Sequence, residues 1–167
     1  MKKLEVREQK SILSSASITI LPGEIVAITG PGGSGKSILL RFLEGIREDE
    51  LTYGYQEYSD TLEKRLFWDF NDQKAKQCFT VPDDNYDLYL IDEPENGINL
   101  NQFHQLCRKV VTTNSVLVFV THHLMYLKNY ADMIMVLKYG EHKGTYTREG
   151  FFNNADPYID YISKMGC

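Results

Sequence analysis

Eight residues, Gly30-Pro31-Gly32-Gly33-Ser34-Gly35-Lys36-Ser37, fit the pattern G-x-x-x-x-G-K-[ST] in full. Glycines at this density let the backbone curl until its N–H groups point inward, which makes a concave seat for an anion. The run Glu24–Thr29 before it reads as a buried strand, and Ile38–Leu43 after it reads as a helix. Strand, glycine loop and helix together form a phosphate cradle, and the helix N-terminus adds positive partial charge. Lys36 would reach the terminal phosphates of a nucleotide and Ser37 would ligate Mg²⁺. A second constellation follows in Leu88-Tyr89-Leu90-Ile91-Asp92-Glu93, an apolar strand ending in two carboxylates. Alone, such a pair reads equally well as surface acids. Beside a phosphate loop, Asp92 fits a Mg²⁺ ligand and Glu93 a base that polarises an attacking water.

These groups need a scaffold. Leu4–Val6 and Ala16–Leu21 read as strands, closed by the Pro22-Gly23 turn. Leu39, Phe42, Leu43 and Ile46 follow helical spacing and give one buried face. Leu51–Tyr55 reads as a strand. Asp60 and Glu63 have capping-box spacing, which predicts a helix from Thr61 towards Phe70. Leu100, Phe103, Cys107 and Val110 predict a further helix, with Asn99 as its cap. Val116–Val120 and Met133–Leu137 are buried strands. Asp156 and Pro157 open a terminal helix with Tyr158, Tyr161, Ile162 and Met165 on one face. Strands alternating with helices predict an α/β fold with a mostly parallel sheet covered on both faces and nucleotide at the strands' carboxyl ends.

The composition narrows the function. The chain has 167 residues, 43% of them hydrophobic, enough for a core, and reads as one domain, 1–167. A net charge of −5 without a long basic run argues against direct nucleic-acid binding. Cys78, Cys107 and Cys167 lack metal spacing and read as free thiols in a reducing compartment. Neither a signal peptide nor a membrane span is expected. Cytoplasmic localisation follows, with any membrane role coming through a partner.

At this point the chain resembles the ATP-binding cassette (ABC) ATPases over nearly its whole length. Ser11–Leu13 and Ser17–Glu24 look like the family's lead-in, Asp92-Glu93-Pro94 like its Walker B ending, and Thr121-His122 like its switch histidine. Ala131–Asp132 and Val136–Glu141 look like its closing strand and turn. The resemblance implies a P-loop NTPase fold with an N-terminal antiparallel β element. It also implies ATP and Mg²⁺ as ligands, with Ser37, Asp92 and Gln56 at the metal. Glu93 would be the catalytic base and His122 the γ-phosphate sensor. Gln56, after Tyr53-Gly54-Tyr55, falls where the family has its Q-loop glutamine. The other reading of it is a solvated loop residue. Glu95–Asn99 takes the D-loop place.

Four departures accompany the resemblance. Lys36 and Asp92 stand only 56 positions apart (92 − 36), so most of the family's helical subdomain is missing. Phe70-Asn71-Asp72-Gln73-Lys74 is the nearest candidate for the LSGGQ signature, yet it lacks both glycines. Before the phosphate loop no aromatic residue offers itself to adenine. Arg7 falls nearest that place, as a stacking guanidinium or as an ordinary surface arginine. Ile38 stands where the family often has Ser or Thr. Phe67, Trp68 and Phe70 read as a docking patch or as core.

The implied function is an ATP-binding, ATP-hydrolysing subunit coupled to a membrane permease, held at the inner face of the cell membrane as a homodimer or as a heterodimer with another ABC ATPase. A soluble ABC-type ATPase of DNA repair or phage defence, and a nucleotide sensor without turnover, are the alternatives.

Overall fold

The computed structural model describes residues 4–8, 17–44, 55–59, 64–71, 79–139 and 141–154. Nine strands and four helices run through them in the order β1 (Leu4–Glu8), β2 (Ser17–Ile20), β3 (Ile25–Thr29), α1 (Lys36–Glu44), β4 (Tyr55–Ser59), β5 (Arg65–Asp69), β6 (Leu88–Asp92), α2 (Leu100–Thr112), β7 (Val116–Val120), α3 (Leu124–Tyr130), β8 (Met133–Lys138), β9 (Glu141–Thr147) and α4 (Arg148–Phe152). The main sheet has the order β5-β6-β7-β3-β8-β9. Its first five strands pair in parallel and β9 closes it antiparallel. A separate antiparallel sheet has the order β2-β1-β4, with β4 drawn from the chain after β3 and α1.

Strands buried on both faces need near-continuous apolar runs, and β3, β6 and β7 supply them, β3 and β6 turning polar only at their last residues, Thr29 and Asp92. Their alternate side chains feed two cores. Val26, Ile28, Leu88 and Leu90 meet Leu39, Leu40 and Leu43 of α1 on one face. Ile25, Ala27, Tyr89 and Ile91 meet Phe103, Leu106 and Val110 of α2 and Leu127 of α3 on the other. α2 starts as its sequence dictates. Asn99 Oδ1 accepts the Gln102 N–H at 2.8 Å, and Gln102 Oε1 accepts the Asn99 N–H at 3.3 Å, a reciprocal capping box.

One expected element is replaced. Residues 65–69 form β5, an edge strand in parallel register with β6 from Arg65↔Leu88 to Asp69↔Asp92, where a helix was expected. Leu66, Phe67 and Trp68 suit a pleated strand better than a helix, and pairing with β6 overrides the local capping pattern. The aromatics are core here. Phe67 packs against the α1-side core, Trp68 stacks edge-on against Phe79 at 4.9 Å, and Phe70 is wholly buried. The strand expected over Leu51–Tyr55 is described as Tyr55–Ser59, with 51–54 outside the described residues. Ile46 and the helix expected after Asp156 also lie outside them.

Candidate active site

The carboxyl ends of β3, β6 and β7 come level, since Glu93 N–H donates to Val120 O at 2.9 Å and Thr121 N–H to Ile28 O at 3.1 Å. The loops that leave these ends therefore meet. Between them opens a cleft of about 320 Å³ lined by Gly32, Gly33, Gly35, Lys36, Ser37 and Ile38 on one side and Glu93, Val120 and His122 on the other. Pro31 and Ser34 complete the loop, with Ser34 Oγ donating to Pro31 O at 2.6 Å. Gly30 brings the loop's first turn against β8. A Cβ at Gly30 would stand 1.8 Å from the Leu137 carbonyl oxygen, and its φ of +143° suits glycine alone.

Lys36 Nζ donates to Gly30 O at 2.8 Å and Pro31 O at 2.7 Å, curled back on its own loop. Burial holds its ammonium below the usual lysine range, against the pull of Glu93 and Asp92. Ser37 Oγ donates to Asp92 Oδ2 at 2.7 Å, joining the loop to the end of β6. The other oxygen, Asp92 Oδ1, is buried with no partner. Burial pushes the Asp92 carboxyl above its usual range; Ser37 opposes this, and Asp69 and Glu93 add repulsion.

An orphaned carboxylate oxygen beside a serine hydroxyl fits a magnesium ion, which commonly takes few protein oxygens and completes its shell with waters and phosphate. The described residues contain no cluster of three or more His, Cys, Asp or Glu that would hold a metal unaided. Ser37 and Asp92 therefore suit a metal that arrives with a phosphate.

Glu93 sits in left-handed backbone, φ +55°, a strained state for a residue with a Cβ. Its Oε1 lies 3.5 Å from His122 Nε2, and its Oε2 accepts Asn96 Nδ2 at 2.7 Å. Arg7 and Gln56 are Cα partners on β1 and β4, and neither side chain is among those described. Gln56 has strand backbone, not the loop expected of it. In the signature candidate, Phe70 belongs to the core and 72–74 lie outside the described residues.

Sequence reasoning passed over Asp69, and it placed Glu95 and Asn96 in the D-loop stretch without giving either a contact. Asp69 ends β5 as Asp92 ends β6, and Arg41 pairs with it at 3.6 Å. The parallel endings Leu66-Phe67-Trp68-Asp69 and Tyr89-Leu90-Ile91-Asp92 were the available signal. The D-loop placement named no partner for either: Glu95 contacts the loop after β7, and Asn96 turns back to Glu93 within its own short turn.

Residues 13–76 match the model of the ABC transporter family. The chain is 42% identical over 84 residues to ABC transporter G family member 22 of Arabidopsis thaliana, across 50% of this chain and 10% of that protein. It is 27% identical over 192 aligned positions to ATP-binding cassette sub-family C member 4 of Homo sapiens, across 81% and 14%. It thus spans a small part of the curated relatives it matches. A solved nucleotide-free ATP-binding cassette from an ABC transporter superposes with a TM-score of 0.71 at 16% identity, covering 97% of this chain and 98% of that one. The fold is that of the ABC-transporter cassettes, and the resemblance read from the motifs holds. No helix among the described residues is long and apolar enough to cross a membrane.

Proposed function

We propose that this chain binds MgATP in the cleft between the phosphate loop and the ends of β6 and β7, hydrolyses it, and drives a membrane permease partner from the cytoplasmic face. The observation that carries the reading is convergence: phosphate loop, Ser37–Asp92 pair, Glu93 and His122 face one cleft. ABC-type relatives and fold add support.

In this reading the loop N–H groups and the α1 N-terminus hold the phosphate charge. Lys36 exchanges its two carbonyl partners for phosphate oxygens. Ser37 and Asp92 hold Mg²⁺, which would neutralise charge developing on the phosphates. Glu93 takes a proton from the water whose oxygen attacks the terminal phosphorus; the bond to the bridging oxygen breaks, and its electron pair leaves with ADP. Asn96 and His122 hold the Glu93 carboxylate in place. Gln56 would sense the metal and Arg7 would stack on adenine. A homodimer, or a heterodimer whose other subunit brings an intact signature, would complete the site.

The test is ATP turnover by wild type beside Glu93→Gln and Lys36→Ala, across protein concentration, with MgATP affinity measured in parallel. Glu93→Gln should bind and not turn over, and Lys36→Ala should lose binding. Unchanged turnover in Glu93→Gln removes the base assignment; normal affinity in Lys36→Ala removes the phosphate cradle. Binding without turnover in wild type would favour the sensor alternative or a required partner.

A further inference from the structure

We infer that Glu95 is a positioning residue of this centre. It fixes the loop that carries His122, which deepens the hydrolytic reading above and rests on it. Glu95 lies in the short 3-10 turn Pro94–Asn96 that follows Glu93. Its Oε1 accepts two hydrogen bonds from the neighbouring loop after β7, from Thr121 Oγ1 at 2.8 Å and from the His122 N–H at 3.1 Å. Thr121 is wholly buried, and its hydroxyl in turn accepts the His123 N–H at 3.0 Å. One carboxylate oxygen thus organises three consecutive residues of the switch-histidine loop.

The turn works in both directions. Asn96, the next residue, donates to Glu93 Oε2, while His122 reaches Glu93 Oε1. Glu93, Asn96, Glu95, Thr121 and His122 therefore close a ring of contacts around the end of β6. Backbone bonds tie the turn itself, from Asn96 N–H to Glu93 O at 3.0 Å and from Gly97 N–H to Pro94 O at 3.1 Å. A shift of Glu95 would move the sensor and the base relative to each other. Distances of this kind control rate more than binding, because a misplacement of about 1 Å can cost roughly 100-fold. Glu95 Oε2 is buried and has no partner in the structure. A glutamine can keep Oε1 as the acceptor and put its amide at the Oε2 position, so Glu95→Gln should preserve the anchor. Glu95→Ala should release it.

The experiment compares wild type, Glu95→Gln, Glu95→Ala and Thr121→Val in kcat, MgATP affinity and hydrogen exchange at the His122 amide. In Glu95→Ala, kcat should fall about tenfold or more while MgATP affinity stays within about twofold, the pattern of a group felt in the transition state. His122 amide protection should drop about tenfold without nucleotide, since its acceptor is gone. Glu95→Gln should stay near wild type in both. Thr121→Val, which keeps the Glu95–His122 bond, should fall between. Unchanged His122 protection in Glu95→Ala overturns the inference whatever the turnover. So does protection lost in Glu95→Ala with kcat intact. Should wild type bind MgATP without turnover, a sensor or a required partner is favoured for the site, and the amide measurement still decides whether Glu95 holds the loop.

Discussion

Gly30→Ala is the sharpest test of how the phosphate loop is seated. Two costs add at this position. The backbone holds φ +143°, a region that L-residues enter at about 1–3 kcal/mol. The new methyl would also stand 1.8 Å from the Leu137 carbonyl oxygen and 2.9 Å from its carbon. Ordinary contact requires the loop and β8 to part by about 1.5 Å. Leu137 cannot yield easily, because it is wholly buried and its strand is paired on both sides, to β3 and β9. Overpacking of this kind costs about 1–3 kcal/mol. The sum is about 4 kcal/mol, or a Tm lowered by roughly 8–16 °C in a domain of this size. Gly33→Ala is the control. Its φ is +76° with nothing within 4 Å of the new carbon, so only the strain term of about 1–2 kcal/mol applies. Differential scanning calorimetry of both variants against wild type, without nucleotide, gives the comparison. Gly30→Ala as stable as Gly33→Ala would show that the approach to Leu137 does not seat the loop.

Asp92→Asn should stabilise the nucleotide-free protein at pH 7.5. Burial raises the folded pKa of Asp92 above its ordinary 3.8, so its contribution is fully present below 3.8 and is lost as pH rises through the folded value. At pH 7.5 the ionised carboxylate is a net cost. Its removal should raise Tm at pH 7.5, an advantage that vanishes as pH falls below about 3.8. The same variant should lose the Mg²⁺-dependent part of stabilisation by ATP; a lower Tm at pH 7.5 would contradict the burial argument. Cys107, with a thiol that burial pushes up to about 12 from 9.0, should carry roughly a thousandfold less thiolate than an ordinary cysteine. Site-resolved alkylation at pH 8 should therefore be slow in the folded chain and rapid in urea, and equal rates would refute it.

The sequence disclosed whatever is encoded over a few neighbouring residues. The phosphate loop, the buried strands β3, β6, β7 and β8, and the capped start of α2 all announce themselves locally. Residues 65–69 did not, because β5 is a strand by virtue of β6, a partner 23 residues away along the register (88 − 65). Helix α3 escaped for a similar reason: its cap residue His123 makes no side-chain capping bond, and tertiary packing of Tyr126 and Leu127 holds it in place. In the site, Lys36, Ser37, Asp92, Glu93 and His122 were legible as types in order. Glu95 and Asn96 were legible only as part of a D-loop stretch; the partners of Glu95 depend on the loop the fold brings opposite, and that of Asn96 on the turn that returns it to Glu93.

On the proposed function, binding and turnover would separate in this chain. Everything needed to seat a phosphate comes from one continuous stretch and one strand end: the loop at 30–37, and Asp92 through Ser37. Positioning of a water needs more, since Glu93 sits in strained backbone and is held by two contacts from different loops, Asn96 and His122. Strain of this kind persists only where its surroundings over-determine it. Phe70, the first residue of the candidate signature, is wholly buried, with its N–H bonded to Asp92 O at 3.1 Å and its ring against Gly97. It is tied to the end of β6 and packs in the core on the α2 side. In that reading a cap over the terminal phosphate would come from a second chain. Exclusion of water by such a cap would strengthen every charge interaction in the cleft. Affinity would then follow the phosphate loop and change little with protein concentration, while rate would follow assembly.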